Sequence, residues 1–240
     1  MAGAGSRFVE KGYVLPKPLL PIGQKPMVVA ATLMLPLADK HIFIIRKEHA
    51  LEAKIDDSLL EYFPSSTIIE LDYLTQGQAS TCLLSKPVLD LNQELIIAAC
   101  DNGMLYDIEK FEDLKTCSDA IVFTFRNNQS VLAKPEAYGW IKVSGDKVVN
   151  ASVKKPVSNN PMSDHAIVGA FWFKKASYFT DAAEKMIAEN RRINGEFYVD
   201  ECINDLLAMN LNVRVFEIKR YLCWGTPEDY ENYINHESSI

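Results

Sequence analysis

Residues 1–27 read MAGAGSRFVEKGYVLPKPLLPIGQKPM, and what this stretch can bind decides what the rest of the chain must be. Gly3 and Gly5 lie two apart, with Ser6, Arg7 and Phe8 directly after them. A glycine-rich turn leaves backbone N–H groups open, because no Cβ blocks a ligand's approach. Arg7 adds a planar fork of donors matched to phosphate oxygens. Lys17 adds a compact positive charge. Pro16 and Pro18 flank it and predict a stiff, extended segment. Amides, guanidinium and ammonium together are what a nucleoside triphosphate requires. A glycine pair alone is more often just a tight turn, so the weight rests on the whole string.

At 240 residues the chain can bury a full core, and it suits one large α/β domain. Hydrophobic residues make up 48% and charged residues 24%, the balance of an ordinary globular protein. The net charge of −7 argues against a nucleic-acid or anionic-membrane partner, so an anionic substrate must be met by local positive charge. No apolar run approaches the ~20 residues of a membrane span, and no basic-then-apolar leader opens the sequence. The five cysteines (Cys82, Cys100, Cys117, Cys202 and Cys223) are scattered and lack a C-x-x-C pair. They are expected to be reduced, mostly buried thiols of a cytoplasmic protein.

Outward from the lysine loop, Met27 to Leu35 predicts a helix that Pro36 disturbs. His41 to Ile45 is a continuous apolar run, hence a buried strand. Ala50 to Phe63 has helical spacing, with Leu51, Ile55, Leu59 and Leu60 on one face. Thr67 to Leu71 is a strand, Gln76 to about Ser85 a helix, and Leu95 to Cys100 a third buried strand ending in Asp101-Asn102-Gly103. Asp107 to Cys117 follows as a helix and Ala120 to Phe125 as a strand. This alternation marks a wound, largely parallel sheet, in which ligands sit beyond the carboxyl ends of the strands. From Tyr138 onward the pattern changes. Trp140 to Val143 and Val148 to Val153 flank Ser144-Gly145-Asp146, a hairpin signal. Ile167 to Phe173 and Val213 to Ile218 read as strands. Ala176 to Asn190 and Tyr198 to Met209 read as amphipathic helices. Thr226-Pro227-Glu228 opens a last helix, with Thr226 as its N-cap. No repeat or linker appears. The expectation is one α/β domain with a Rossmann-like wound, mixed sheet, its nucleotide-binding half in residues 1–127 and its acceptor-binding half in 128–240.

Asp101 is the metal candidate: a hard oxygen ligand at a strand end suits Mg²⁺, although Asp-Asn-Gly is equally a good turn. Gly139 and Gly169 leave backbone open for a polar ring to approach. His41, His49, His165 and His236 share no spacing and read as ordinary packed or surface residues.

The glycine loop, the arginine and Pro16-Lys17-Pro18-Leu19 together resemble the signature of the sugar-phosphate nucleotidyltransferases, and the likeness runs along nearly the whole chain. It is nearest to the branch that serves bacterial capsule and lipopolysaccharide synthesis. The resemblance implies the nucleotide-diphospho-sugar transferase fold, with a buried strand ahead of the glycine turn. The sequence as it stands begins almost at the turn, so that strand is either missing or clipped. It also implies nucleotide contacts from Ala2, Gly3, Ala4, Gly5 and Ser6, and a base-reading turn at Gln76-Gly77, which is equally a helix cap. Arg7 and Lys17 become the catalytic cations and Asp101 the Mg²⁺ ligand. Tyr138-Gly139 resembles the strand on which the sugar lies, and Lys154-Lys155-Pro156 resembles a Glu-Lys-Pro motif whose lysine, here Lys155, meets the sugar phosphate. Tyr138, Gly139, Lys155 and Gly169 are therefore the expected acceptor contacts. The chain departs from the pattern twice. Lys154 stands where the motif has glutamate, and Cys223-Trp224-Gly225-Thr226 lacks the second metal aspartate.

The expected reaction is transfer of a nucleoside monophosphate from an NTP to a sugar 1-phosphate, with release of pyrophosphate. The attacking atom is a phosphate oxygen anion, so no general base is needed. Catalysis reduces to aligning two anions and neutralising their repulsion. The two departures leave room for cytidylyl transfer to a non-sugar phosphate, and a non-catalytic sugar-nucleotide binder is a third class. A dinucleotide-binding oxidoreductase needs a third glycine where the chain has Phe8. The expected partners are the NTP and the acceptor alone, without nucleic acid or membrane, and a homo-oligomer is compatible with them.

Overall fold

The structure is a computed structural model that describes residues 1, 3 and 5–236. In chain order the elements begin with α1 (Ser6–Glu10), β1 (Pro21–Ile22), β2 (Lys25–Pro26), α2 (Met27–Leu33), β3 (Ile42–Arg46), α3 (Lys47–Ala53), α4 (Ile55–Tyr62) and β4 (Thr67–Leu71). They continue with α5 (Gln78–Leu83), β5 (Leu95–Ala98), β6 (Asn102–Leu105), α6 (Ile108–Thr116), β7 (Ala120–Phe125), α7 (Ser130–Ala133), β8 (Gly139–Ser144) and β9 (Lys147–Val153). The last are β10 (His165–Phe173), α8 (Ala176–Ala188), α9 (Val199–Ala208), β11 (Val213–Glu217), β12 (Arg220–Cys223) and α10 (Pro227–His236). No described helix is long and apolar enough to cross a membrane. Packing groups the chain into two compact units: Met1–Thr75 with Ala99–Leu105 and Tyr221–Ile240, and Gln76–Ala98 with Tyr106–Arg220.

In the first unit β3 and β4 pair in parallel, from Ile42 opposite Thr67 to Arg46 opposite Leu71. Their apolar run packs Phe43 and Ile45 against Val28 and Val29 of α2 and Ile55 and Leu59 of α4. A second cluster joins Phe8, Leu20, Met27, Leu222, Trp224 and Tyr230. Three local expectations need correction here. The single helix over 50–63 is two, α3 and α4, because Lys54 takes a left-handed conformation with φ 55°. Its break turns Leu51 and Leu60 to solvent while Ala50, Ile55, Leu59 and Phe63 fill the core. Lys17 does not lie on an extended segment: Lys17–Leu19 is one turn of 3₁₀ helix, with Pro18 inside it and Leu19 N–H donating to Pro16 O at 2.8 Å. The strand before Asp101 stops at Ala98, and Asn102-Gly103 is not a turn but the start of β6, which pairs with β12.

The second unit holds a six-stranded sheet in the order β5-β10-β7-β11-β9-β8. The nine-residue β10 organises it: His165 and Ala166 pair with β8, and Ala170 to Phe173 pair with β5, all antiparallel. A register shift between Ile167 and Phe171 brackets Gly169, whose φ is 91°. β7 is buried along its whole length and pairs in parallel with β11. The remaining pairs are antiparallel, so the sheet is mixed and not largely parallel. The expected hairpin is β8–β9, turning through Gly145 at φ 65°. Helices α8 and α9 cover one face with Phe179, Ala183, Met186, Cys202, Ile203 and Leu206. Arg191 anchors α9 through Asp205 at 2.5 Å and Glu201 at 2.9 Å. All five cysteines are free; Cys202 is buried, Cys82, Cys100 and Cys223 are partly covered with their thiols desolvated, and Cys117 is exposed.

Candidate functional site

The opening loop lies in the first unit. Gly5 adopts a left-handed conformation (φ 61°, ψ 20°) and turns the chain into α1. Phe8 on α1 is buried, and this fixes the turn to the core. Gly3, Ser6 and Arg7 are exposed, and Arg7 makes no ion pair among the described residues. Ala2 and Ala4 lie outside the described residues. Gly5 stands beside Lys17: a Cβ built on it would be 3.7 Å from the lysine's own Cβ.

Lys17 is the centre of this cluster. Its Nζ donates to Asp101 Oδ2 at 2.5 Å and to the Gly225 carbonyl at 2.8 Å, and it lies 5.4 Å from the centre of the Phe8 ring. The ion pair is half-sheltered, with 15% of the lysine and 29% of the aspartate side chain exposed. The arrangement is set by three elements. The 3₁₀ turn presents the lysine, the β5–β6 connection presents Asp101, and the β12–α10 corner presents Gly225. Trp224 N–H donates to Asp101 O at 3.0 Å and so ties the last two together. Thr226 caps α10 as the sequence predicts, accepting from Asp229 N–H at 3.2 Å. Two oxygens thus converge on one cation, and both are hard donors. That set fits Mg²⁺, which takes one or two carboxylates and completes its shell with water and phosphate. Among the described residues no group of three or more His, Cys, Asp or Glu could hold a metal by itself. The stretch Cys223-Trp224-Gly225-Thr226, where a second aspartate is expected, offers only the Cys223 thiol, and burial pushes that thiol up to about 12, with Asp229 and Asp101 adding to the rise. A neutral thiol does not replace a carboxylate on a hard cation. Of the two acids that could otherwise complete a metal shell, Glu201 is engaged with Arg191 at 2.9 Å and Asp200 stands against Gly139.

Gln76 and Gly77 lie in the second unit and have packing reasons to be there. Gly77 has φ 121°, and a Cβ on it would come within 2.5 Å of Phe197 N and 2.6 Å of Phe197 O. The two segments are hydrogen-bonded, Phe197 N–H to Gln76 O at 2.8 Å and Ala79 N–H to Phe197 O at 2.9 Å. Arg192, which sequence reasoning passed over, donates to Gln76 Oε1 at 2.5 Å and lies 4.1 Å from the Phe197 ring centre.

The expected acceptor residues gather in the same unit. Tyr138 O accepts from Lys154 N–H at 3.1 Å, and Tyr138 O–H donates to Ser130 Oγ at 3.0 Å. Gly139 begins β8 with the buried carboxylate of Asp200 pressed against it. Ile167, two residues before Gly169, closes the other side. Lys154 has φ 64°; its Nζ donates to Ala137 O at 2.8 Å and lies 5.2 Å from the Tyr198 ring centre. Lys155 is exposed and makes no ion pair among the described residues. Burial lifts the Asp200 carboxyl to about 6, and the nearby Lys154 ammonium offsets part of that rise. No local signal marks Asp200 as the partner of Gly139, which it meets only in the folded unit.

Comparison with solved structures finds the same fold. The chain superposes on a nucleoside-diphosphate-sugar pyrophosphorylase from Vibrio cholerae with TM-score 0.79 at 21% identity, covering 98% of each chain. A structure from Bacillus anthracis, named as a candidate glucose-1-phosphate thymidylyltransferase and holding sucrose, gives 0.76 at 22%, covering 99% of this chain and 93% of the other. An inositol-1-phosphate CTP transferase from T. maritima gives 0.69 at 14%, covering 99% and 91%. No curated protein matches the sequence. The profile of the family described as nucleotidyl transferase matches residues 1–237, and on that match the chain belongs to this family and is a nucleotidyltransferase enzyme.

Proposed function

We propose that the enzyme transfers a nucleoside monophosphate from an NTP to a sugar 1-phosphate and releases pyrophosphate, in the cytoplasm, supplying a nucleotide sugar for surface polysaccharide synthesis. The observation that carries this reading is the convergence of Asp101 and the Gly225 carbonyl on Lys17, beside the open turn at Gly5. Amides of residues 2–6 and the Arg7 guanidinium, which makes no ion pair among the described residues, hold the triphosphate and the leaving pyrophosphate. Lys17 neutralises the α-phosphate as it passes through five-coordination, where its charge counts most. Asp101, with Gly225 O, would hold Mg²⁺. The ion, when bound, polarises the phosphates and shields their charge from the incoming anion. Gln76 and Gly77 contact the base. Tyr138, Gly139 and Gly169 receive the acceptor, and Lys155, exposed and unpaired among the described residues, takes its phosphate. In this reading residues 1–127 serve the nucleotide and 128–240 the acceptor, apart from Gly225, whose carbonyl serves the metal.

A second reading, cytidylyl transfer to a non-sugar phosphate, is favoured by Lys154. This ammonium replaces a hydrogen-bond acceptor that a sugar diol would use. Pyrophosphate release from a panel of NTPs, each with and without sugar 1-phosphates and non-sugar phosphates, separates the readings. Release that requires a sugar 1-phosphate supports the first, and release with a non-sugar phosphate alone replaces it by the second.

A further inference from the structure

We propose that Lys17 closes the Asp101–Gly225 oxygen pair in the free enzyme, so that the divalent cation enters only together with the nucleoside triphosphate. The inference rests on the reading of Asp101 as the metal ligand. Nζ lies 2.5 Å from Asp101 Oδ2 and 2.8 Å from Gly225 O, and so occupies the two oxygens a cation would use. Mg²⁺ bonds oxygen at about 2.0–2.1 Å. An ammonium and a dication on one carboxylate oxygen would stand within about 4 Å of each other, where their repulsion is strong in a half-sheltered site. Asp101 is already paired with Lys17, and among the described residues no group of three or more His, Cys, Asp or Glu stands ready for a metal, so a free dication has little charge with which to displace the lysine. A triphosphate changes the balance in two ways. It offers Lys17 an alternative anion on the side of the Gly5 turn, next to which the lysine stem already lies. It also brings oxygen ligands for the metal. Lys17 thus has two positions, one on Asp101 and one on phosphate. Metal and nucleotide affinities are then coupled, and each raises the other by the same factor.

The test is direct binding of Mn²⁺, a spin-active substitute for Mg²⁺, followed by electron paramagnetic resonance on the full chain without turnover. Wild type without nucleotide is expected to show no saturable site up to about 1 mM Mn²⁺, because one carboxylate already paired with a lysine is a poor ligand. A non-hydrolysable NTP analogue should then produce a site that binds Mn²⁺ more tightly than the analogue does alone. Lys17→Met should bind Mn²⁺ without nucleotide at least about tenfold more tightly than wild type, and adding Asp101→Asn should abolish that gain. Lys17→Arg, which keeps the charge, should behave like wild type and shows that the variants fold comparably by circular dichroism. Saturable Mn²⁺ binding by nucleotide-free wild type, equal to that of Lys17→Met, overturns the inference. So does a gain in Lys17→Met that survives Asp101→Asn. Loss of the nucleotidyl-transfer reading would appear instead as absent pyrophosphate release, which these titrations do not measure.

Discussion

The contact between Gly139 and Asp200 yields a prediction whose size follows from packing. A Cβ at position 139 would stand inside contact distance of Asp200 Oδ2, 2.8 Å from Asp200 Cγ and 2.9 Å from Ile167 Cδ1. All three residues belong to the second unit, and both Asp200 and Ile167 are buried. Both clashing groups are side-chain ends, and because both side chains are buried each can yield only by repacking against its neighbours. Overpacking of this kind costs about 1–3 kcal/mol, and the clash on two sides puts Gly139→Ala at about 2–3 kcal/mol. For a chain of this length that lowers Tm by roughly 4–12 °C, at about 2–4 °C per kcal/mol. Thermal melts and urea titrations measure the effect. The cause is isolated by a double-mutant cycle with Asp200→Ala, which empties the space the new methyl needs and should return at least about 1 kcal/mol as coupling. A Gly139→Ala protein within about 0.5 kcal/mol of wild type, or a cycle with no coupling, would refute the packing argument.

Three further outcomes follow. Burial raises the Asp200 carboxyl to about 6 from 3.8 in the unfolded chain, so the folded state holds its proton more tightly; the contribution of this group to stability is fully present below about pH 4 and is lost, by on the order of 3 kcal/mol, as pH rises from about 4 through 6. Urea titrations across that range should show the fall in wild type and its absence in Asp200→Asn. Lys17→Ala should lower kcat by about 100-fold or more, the loss of ~3 kcal/mol of transition-state charge stabilisation, with an unchanged far-UV spectrum; near-normal turnover in the folded variant removes the assignment. Lys155→Ala should raise the acceptor KM at least about tenfold and leave the NTP KM in place, because the contact is to one substrate; equal effects on both contradict it.

How much of this was legible in the sequence depends on how local its cause is. Strand β7 is an apolar run buried along its whole length, and the structure has β4 and β7 on the residues where the sequence puts them and β3 one residue later, at Ile42–Arg46. The β8–β9 hairpin is announced by Ser144-Gly145-Asp146, and the α10 cap by Thr226-Pro227. The break at Lys54 was hidden because lysine continues a helix as readily as it ends one, and the turn is imposed by which residues reach the core. β6 was hidden because Asn102-Gly103 has the composition of a turn, and only its pairing with β12, over a hundred residues away, makes it extended. In the site, Lys17 and Asp101 were each visible as types, Lys17 by its prolines and Asp101 by the strand before it. Their direct ion pair was not visible, and neither was the Gly225 carbonyl that completes it, since a backbone oxygen leaves no signature. Gly77 looked like part of a ligand loop, and the structure adds a second reason for it, the backbone of Phe197 in the place of a Cβ.

The central claim is that an acceptor phosphate oxygen attacks the α-phosphorus of a nucleoside triphosphate. It is tested most directly with an α-³²P-labelled NTP and a sugar 1-phosphate carrying ¹⁸O in its phosphate, with products separated and analysed by mass. The account predicts that all the ³²P enters a nucleotide diphospho-sugar, that the ¹⁸O is retained in its diphosphate, and that the pyrophosphate is unlabelled. Label recovered as free nucleoside monophosphate with oxygen from water, at the same rate with and without acceptor, would contradict it.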